Sequence, residues 1–335
     1  MVRYTMSVWR STALSMAVYA LVCGLLPAPA AWALARIGVL DIDGTAATEE
    51  NLGSLRHGLR ELGHVEGRTL VIEYRSADGR AERLPDLAIE LVRLNVDLIV
   101  AGGTSAALAA RHVTSTVPIV MASSGDPVFA GLVASLSRPG GNVTGLHATA
   151  PPALAAKRLQ LLKELVPGMS RVGVLLDPGD VYAWATMKEL EPSARAMGVG
   201  IHRIEAHMHR PEGFEQKFEA ALVDRVDALI TVEGPVTAIA TPQIVQFATM
   251  SRLPAVYGSR ESVDAGGLMA YGTDRRDLFR RAAAYVDRIL KGARPADLPV
   301  EPPARFELAI NLKAARALGL VIPPSLLKRA DHLVR

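Results

Sequence analysis

The sequence predicts an α/β protein with two Rossmann-like lobes, each a parallel sheet flanked by helices. Short runs of β-branched and aliphatic residues, such as 36–40 and 96–100, show almost no polar alternation, which is typical of strands buried on both faces. Segments with the apolar spacing of amphipathic helices, such as 81–94 and 152–165, separate these runs. Repeated β–α units of this kind form a parallel sheet covered by helices, and two sets of them follow one another along the chain.

The predicted elements cover most of the chain after residue 35. Strands are predicted at 36–40, 70–74, 96–100, 117–121, 172–176, 199–204, 227–232, 254–257 and 268–271. Helices are predicted at 51–62, 81–94, 152–165, 182–197, 211–223, 235–250 and 274–290. A turn-rich stretch at 137–145 cannot continue a helix and therefore predicts the seam between the two sets.

The first 35 residues have the pattern of a secretory signal peptide. Arg3 and Arg10 precede an apolar run of about 15 residues, which is shorter than the roughly 20 residues of a membrane-spanning helix. Small residues follow, and their A-x-A pattern places the expected cleavage after Ala35. Cys23 lies inside this segment and lacks the small residue that normally precedes a lipidated cysteine. We therefore expect an exported periplasmic chain without a thiol, and a membrane anchor is the competing interpretation.

Composition and charge exclude several classes of function. The chain of 335 residues has 37 basic and 34 acidic side chains. It contains no run of five or more Lys or Arg residues, which argues against a dedicated nucleic-acid-binding protein. A single Cys excludes an intrachain disulfide and a zinc site built from Cys.

Enzyme and metal motifs are missing from the sequence. No serine-hydrolase elbow, zinc-protease motif, phosphate-binding loop or dinucleotide-binding turn occurs, so neither an enzyme activity nor a cofactor is predicted. His202, His207 and His209 near Glu205 could bind a metal, but their place beside a strand-to-helix connection favours a solvated loop. No metal site is predicted.

Polar groups at the ends of the predicted strands are the candidate binding residues of the first set. Ligands of open α/β sheets bind beyond the carboxyl ends of the strands, where the free N–H groups of helix N-termini suit a carboxylate. After the next strand, the hydroxyls of Ser123 and Ser124 and the carboxylate of Asp126 could hold an ammonium group beside the ligand carboxylate. The candidates are Asp41, Asp43, Gly103, Thr104, Ser105, Ser123, Ser124 and Asp126. Simple helix capping and, for Asp126, a turn role before proline are the alternative interpretations.

Equivalent strand ends in the second set also carry polar and aromatic side chains. Asp177 and Asp180 follow one predicted strand, and Glu233 follows another. Aromatic residues are scarce, so those near these ends are candidates for an apolar wall, with core packing as the alternative. They are Tyr182, Trp184 and Tyr257. Because such groups recur in both sets, the sequence predicts a cleft that traps a small charged solute.

Several longer segments occur in the order that is typical of one family. They are 102–107, 125–128, 138–145, 157–168, 171–178, 265–273, 306–320 and 323–327. On these segments the chain from Arg36 to Asp331 resembles the ABC-transporter substrate-binding proteins often labelled tryptophan/tyrosine transport components.

The resemblance implies the type I periplasmic-binding-protein fold, in which crossing strands hinge two lobes. The expected first lobe comprises residues 36–146 and 272–296, and the expected second lobe and tail comprise 147–271 and 297–335. The resemblance further implies a monomer that carries an amino-acid-like ligand to an ABC permease, with Thr104, Ser105 and the 123–126 segment as ligand contacts.

The chain departs from the family's usual residues at 41–44, 177–180 and 233–235, which leaves the identity of the ligand open. Two other functions stay open from the residues alone. One is a ligand-sensing subunit that docks on a membrane signalling kinase. The other is a periplasmic enzyme that uses Asp41, Asp126 or Asp177.

Overall fold

The computed structural model describes residues 34–42, 45–205, 224–234, 237 and 240–335. Several of the predicted features lie outside these residues: most of the signal segment, Asp43, His207, His209 and the helix at 211–223. Among the described residues, no helix combines the length and the apolarity that crossing a membrane requires.

Strands and helices alternate along the described chain. The strands are β1 Ala35–Asp41, β2 Leu70–Ser76, β3 Leu98–Gly102, β4 Ile119–Ser124, β5 Val143–His147, β6 Arg171–Leu176, β7 Gly200–Glu205, β8 Ala228–Thr231, β9 Ala255–Tyr257, β10 Met269–Thr273, β11 Phe306–Asn311 and β12 His332–Val334. The helices are α1 Thr45–Glu61, α2 Leu84–Arg93, α3 Thr104–Val113, α4 Leu154–Leu165, α5 Val181–Ala196, α6 Thr241–Met250, α7 Arg260–Asp264, α8 Arg275–Leu290, α9 Leu312–Ala317 and α10 Pro324–Arg329.

The first sheet has the strand order β2-β1-β3-β4-β5, and all its strand pairs are parallel. Successive residues of a strand point to opposite faces, so Ile99 packs with α2 and α3 while Val100 packs with α1 and α8. Both faces of the sheet are therefore buried under helices, which explains why the strand residues lack polar alternation. We call this sheet with its four helices the first lobe.

The second sheet has the order β12-β11-β10-β9-β8-β6-β7. Its strand pairs are parallel except for β10 and β11, which run antiparallel. One face packs against α4, α5, α9 and α10, and the other face packs against α6 and α7. We call this sheet with these helices the second lobe.

The structure differs from the sequence-based prediction at the seam. Residues 143–147 form the edge strand β5 of the first sheet, although this stretch reads as turn-rich. A side chain at Gly145 would come within 2.2 Å of the Met121 carbonyl oxygen, and Gly145 has a φ of +125°. The glycine therefore permits close strand pairing rather than a turn.

Short segments connect the lobes and are hydrogen-bonded to one another. The Thr273 hydroxyl, at the end of β10, donates to the carbonyl of Ala148, which follows β5, at 2.8 Å. The Asp274 N–H donates to the Arg305 carbonyl at 3.1 Å, and the Glu301 N–H donates to the Gly145 carbonyl at 3.0 Å. These hydrogen bonds hold the crossing segments against one another.

Ion pairs also join the lobes beside these crossings. They are Arg260 with Glu50 at 2.8 Å, Arg275 with Glu261 at 2.8 Å, and Arg276 with Glu307 at 2.7 Å. In each pair one partner belongs to α1 or α8 and the other to α7 or β11. Each of these three carboxylates therefore has an arginine partner from the opposite lobe.

Candidate functional site

The carboxyl ends of the two sheets face each other. The crossing segments leave the first sheet at the end of β5 and the second sheet at the end of β10, so they join these two edges. Burial raises the pKa of Asp180 of the second lobe, and the Tyr182 N–H opposes that shift. The charges of Asp177 and, least of all, of Asp126 on the first lobe raise it further. Asp126 and Asp180 thus lie near enough to one another, on opposite lobes, for their charges to interact.

On the first lobe, the loop after β3 presents backbone rather than charge. Gly103 has a φ of +114° and precedes α3 without a side-chain cap. The Thr104 hydroxyl accepts the Gly125 N–H at 2.8 Å and so ties this loop to the loop after β4, while Ser105 is exposed. The first turn of α3 thus offers N–H groups and hydroxyls, which suit a carboxylate.

Asp41 lies behind this loop and is only 1% exposed. Its Oδ1 accepts the Ile42 N–H at 2.8 Å, and a side chain at Gly102 would come within 2.6 Å of its carboxylate. The predicted contact residue Asp41 is therefore packed under the β3 loop.

The loop after β4 supplies the acidic group of the first lobe. Asp126 is exposed, and its Oδ1 accepts the N–H groups of Val128 and Phe129 at 2.9 and 3.0 Å. Ser123 and Ser124 are buried: the Ser123 hydroxyl accepts from Arg275 at 3.3 Å, and the Ser124 hydroxyl donates to the Gly125 carbonyl at 3.1 Å. Of these three predicted residues, Asp126 is the one open to solvent.

His147 at the end of β5 was not among the predicted site residues. Burial lowers the pKa of its imidazole, and the charge of Asp126 opposes that shift. Its Nδ1 is buried and has no hydrogen-bond partner among the described residues. A histidine directly after an apolar strand is the sequence signal that could have found it.

On the second lobe, two aspartates shape the loop after β6. The Asp177 carboxylate accepts the Gly179 N–H at 2.9 Å, and the Asp180 carboxylate caps α5 by accepting the Tyr182 N–H at 2.9 Å. A side chain at Gly234, after β8, would come within 3.0 Å of the Asp180 carboxylate. The loops after β6 and β8 are therefore adjacent, in keeping with the pairing of these two strands in the second sheet.

Glu233, also predicted, forms an ion pair with a residue that was not. Arg158 of α4 is 1% exposed and donates from Nη1 and Nη2 to both carboxylate oxygens of Glu233, with a distance of 2.6 Å for Nη1. Its Nε donates to the carbonyl of Tyr271 at 2.7 Å. An arginine on the apolar face of the predicted 152–165 helix is the signal that could have found Arg158.

The aromatic candidates occupy three different environments. The Tyr182 hydroxyl donates to the Ala150 carbonyl at 2.8 Å, and burial followed by the charge of Glu233 raises its pKa. The Trp184 indole is 41% exposed, donates to the Pro178 carbonyl at 2.8 Å and lies 5.6 Å from the Arg203 guanidinium. Tyr257 is 2% exposed and packs in the core between the second sheet, α6 and α7. Tyr182 is the ring that the structure places beside the charged groups of the cleft.

The described residues contain no group of three His, Cys, Asp or Glu side chains that could hold a metal ion. His202 is paired with Asp224 at 2.9 Å. The strand ends thus combine hydroxyls, N–H groups and the Asp126 carboxylate on the first lobe with carboxylates and a tyrosine on the second.

Comparison with known proteins places this chain. A family model described as ABC transporter substrate binding protein matches residues 36–334. The chain belongs to this family. The substrate-binding role and the type I periplasmic-binding-protein fold expected from the sequence are thereby confirmed.

Relatives of this substrate-binding protein are similar over most of their length. A tyrosine-binding protein of Clostridioides difficile is 28% identical over 262 residues, which cover 78% of this chain and 74% of the relative. The ABC domain of Streptococcus pneumoniae in complex with L-Trp is 27% identical with a TM-score of 0.70, covering 90% of this chain and 100% of that one. A conserved domain protein from Vibrio cholerae is 29% identical with a TM-score of 0.69 and the same coverage.

Proposed function

We propose that this substrate-binding protein binds an α-amino acid with an aromatic side chain in the cleft between its lobes. In this proposal the exported protein works in the periplasm as a monomer, passes the ligand to an ABC permease and catalyses no reaction. The proposal takes its class of protein from the family and its ligand from the chemistry of the cleft.

The opposed chemistry of the two edges carries the proposal. The first turn of α3 offers N–H groups and the side chains of Thr104 and Ser105 to a carboxylate. Asp180 and Glu233 of the second lobe, together with Asp126 at the rim of the first, offer carboxylates to an ammonium group. An α-amino acid carries both groups on one carbon, so it can satisfy both edges at once.

The relatives support an aromatic side chain. The protein from Clostridioides difficile is described as tyrosine-binding, and the domain from Streptococcus pneumoniae holds L-Trp. In this chain Tyr182 lies beside the charged groups and can line the ring's pocket.

Binding of this kind favours closure of the cleft. A ligand that contacts both edges binds the closed arrangement better than the open one, and this difference in affinity is what shifts the equilibrium. The crossing segments beside Thr273, which are hydrogen-bonded to one another, are the hinge in this proposal.

The test is a binding screen of the purified protein with the twenty standard amino acids, by thermal shift and then by calorimetry. We expect saturable one-to-one binding of L-tyrosine or L-tryptophan and a higher melting temperature with ligand. Asp126→Asn keeps the backbone hydrogen bonds of its loop but removes the charge, and should weaken that binding. No binding of any amino acid would contradict the proposed function.

A further inference from the structure

We propose that Arg158 is a positioning residue that fixes Glu233 as the contact selecting for an ammonium group on the ligand. This inference rests on the proposed function, because it assigns roles within the same cleft. All three guanidinium nitrogens of the buried Arg158 donate hydrogen bonds, whereas the carboxylate of Glu233 is partly exposed.

The guanidinium of Arg158 has two neighbours and holds both tightly. Its Nη1 and Nη2 each donate to one carboxylate oxygen of Glu233, and its Nε donates to the Tyr271 carbonyl of β10 at 2.7 Å. A bidentate pair of this kind fixes the direction of a carboxylate as well as its place. Glu233 is thereby held across the ends of β8 and β10.

Two glycines make room for this arrangement. A side chain at Gly258, just after β9, would come within 2.2 Å of Glu233. A side chain at Gly272 of β10 would come within 1.6 Å of the Gly258 carbonyl oxygen. The backbone at these two strand ends therefore approaches closely, and the Glu233 carboxylate lies over the space that a larger residue would fill.

The exposure of the two partners differs sharply. The Arg158 side chain is 1% exposed and that of Glu233 is 31% exposed. A pair that served only to hold strands together could be closed to solvent on both sides, whereas here the Glu233 side chain is partly open to solvent. Each carboxylate oxygen has a second lone pair, so Glu233 can accept from a ligand while Arg158 stays bound.

Arg158 also makes it feasible to close the cleft over this carboxylate. An isolated charge loses favourable hydration when water is excluded, and a buried partner offsets that loss. The ammonium of the ligand then completes the coordination of a carboxylate that is already oriented. A ligand without the amine leaves the free side of the Glu233 carboxylate without a hydrogen-bond donor. Such a ligand therefore binds more weakly than the amino acid.

The experiment measures discrimination by calorimetry, as the ratio of affinities for L-tyrosine and for 3-(4-hydroxyphenyl)propionate, which lacks the amine. If the wild type prefers another amino acid, that amino acid and its desamino analogue replace this pair. Glu233→Gln should lower the ratio by about 10- to 100-fold, mostly through weaker binding of the amino acid. Arg158→Lys should lower it less, because one ammonium cannot hold both oxygens. Glu191→Gln, on the outer end of α5 and paired with Arg203, is the matched control and should leave the ratio unchanged.

The outcomes separate the inference from the proposed function. Equal weakening of both ligands in Glu233→Gln, or a lower melting temperature with the ratio intact, would show that the pair is only structural. Equal affinity of the wild type for both ligands would contradict the inference but not binding itself. No binding of any amino acid would contradict both.

Discussion

The two edges of the cleft hold their buried charge in opposite ways. On the first lobe, Asp41 is buried under the β3 loop, and its carboxylate meets its own chain at Ile42. On the second lobe, the buried charge of Arg158 reaches outward to Glu233, which is part of the surface. The first edge is consequently a backbone surface with one exposed carboxylate, that of Asp126, and the second is a surface of oriented carboxylates. The difference gives the cleft a polarity, and with it an expected orientation of the ligand.

We expect the largest effect, on the free energy of unfolding, from replacing Arg158, the buried arginine of the second edge. Arg158→Met removes the arginine that is paired with Glu233 and should lower the free energy of unfolding by about 2–4 kcal/mol, less than for a fully buried pair because Glu233 is 31% exposed. Arg203→Met, whose pair with Glu191 is half-exposed, should cost less than about 1 kcal/mol. Urea denaturation measures both. Similar small losses in the two variants would mean that the second edge is not organised by Arg158.

The next largest effect is expected from removing the charge of Asp126, the exposed carboxylate of the first edge. Asp126→Asn should reduce affinity for the amino acid by about 10- to 100-fold, because a charged hydrogen bond is worth roughly 1.5–3 kcal/mol. Asn retains the acceptor for the N–H groups of Val128 and Phe129, so the loop should persist. Asp78→Asn, on the exposed turn after β2, serves as the control in the same calorimetric titration. An unchanged dissociation constant for Asp126→Asn would leave the first edge with backbone contacts alone.

A third prediction contrasts the cleft with the hinge, where each carboxylate has an arginine. Burial raises the pKa of Glu307 to about 7, although Arg276 acts in the opposite direction. An acid whose pKa rises on folding binds its proton more tightly in the folded state, so this contribution to stability is present at acid pH and is lost as the pH rises from about 4.5 to about 7. Between pH 5 and pH 8 the wild type should therefore lose about 1–2 kcal/mol more than Glu307→Gln does.

Urea denaturation across this pH range measures the difference. Glu90→Gln, at a half-exposed carboxylate of α2, should follow the wild type. Parallel pH profiles for wild type and Glu307→Gln would show that Glu307 stays ionised over this range, which would contradict the raised pKa.

The smallest effect concerns the hydroxyl that joins two loops of the first edge. Thr104→Ala removes the acceptor for the Gly125 N–H and should weaken ligand binding by roughly 2- to 10-fold, since a neutral hydrogen bond contributes about 0.5–1.5 kcal/mol. Thr104→Ser keeps the acceptor and should restore most of the affinity. If both variants weaken binding equally, the methyl group rather than the hydrogen bond is what matters there.

Much of the fold was predictable because its strands are apolar on both faces. The runs around Val39, Val100 and Val174 can lie only between two layers of helices, and the structure puts them there. β5 could not be predicted in the same way, since Gly145 is read as a turn residue until the nearness of Met121 is known. The antiparallel pairing of β11 depends on the chain returning from the first lobe, which no local pattern indicates.

The candidate site was predictable only where a residue acts locally. Asp177 and Asp180 organise their own loop, as strand-end aspartates commonly do. The pair of Arg158 with Glu233 joins residues 75 positions apart, so its existence follows from tertiary packing alone. Tyr257 shows the reverse, because a tyrosine at a strand end can equally point into the core.

A crystal structure of the protein with its bound amino acid tests the polarity of the cleft most directly. We predict that the ligand carboxylate lies within hydrogen-bond distance of the first turn of α3, at Thr104 and Ser105, and that its ammonium group faces Glu233. A ligand bound in the reverse orientation, or outside the space between the two edges, would contradict the account.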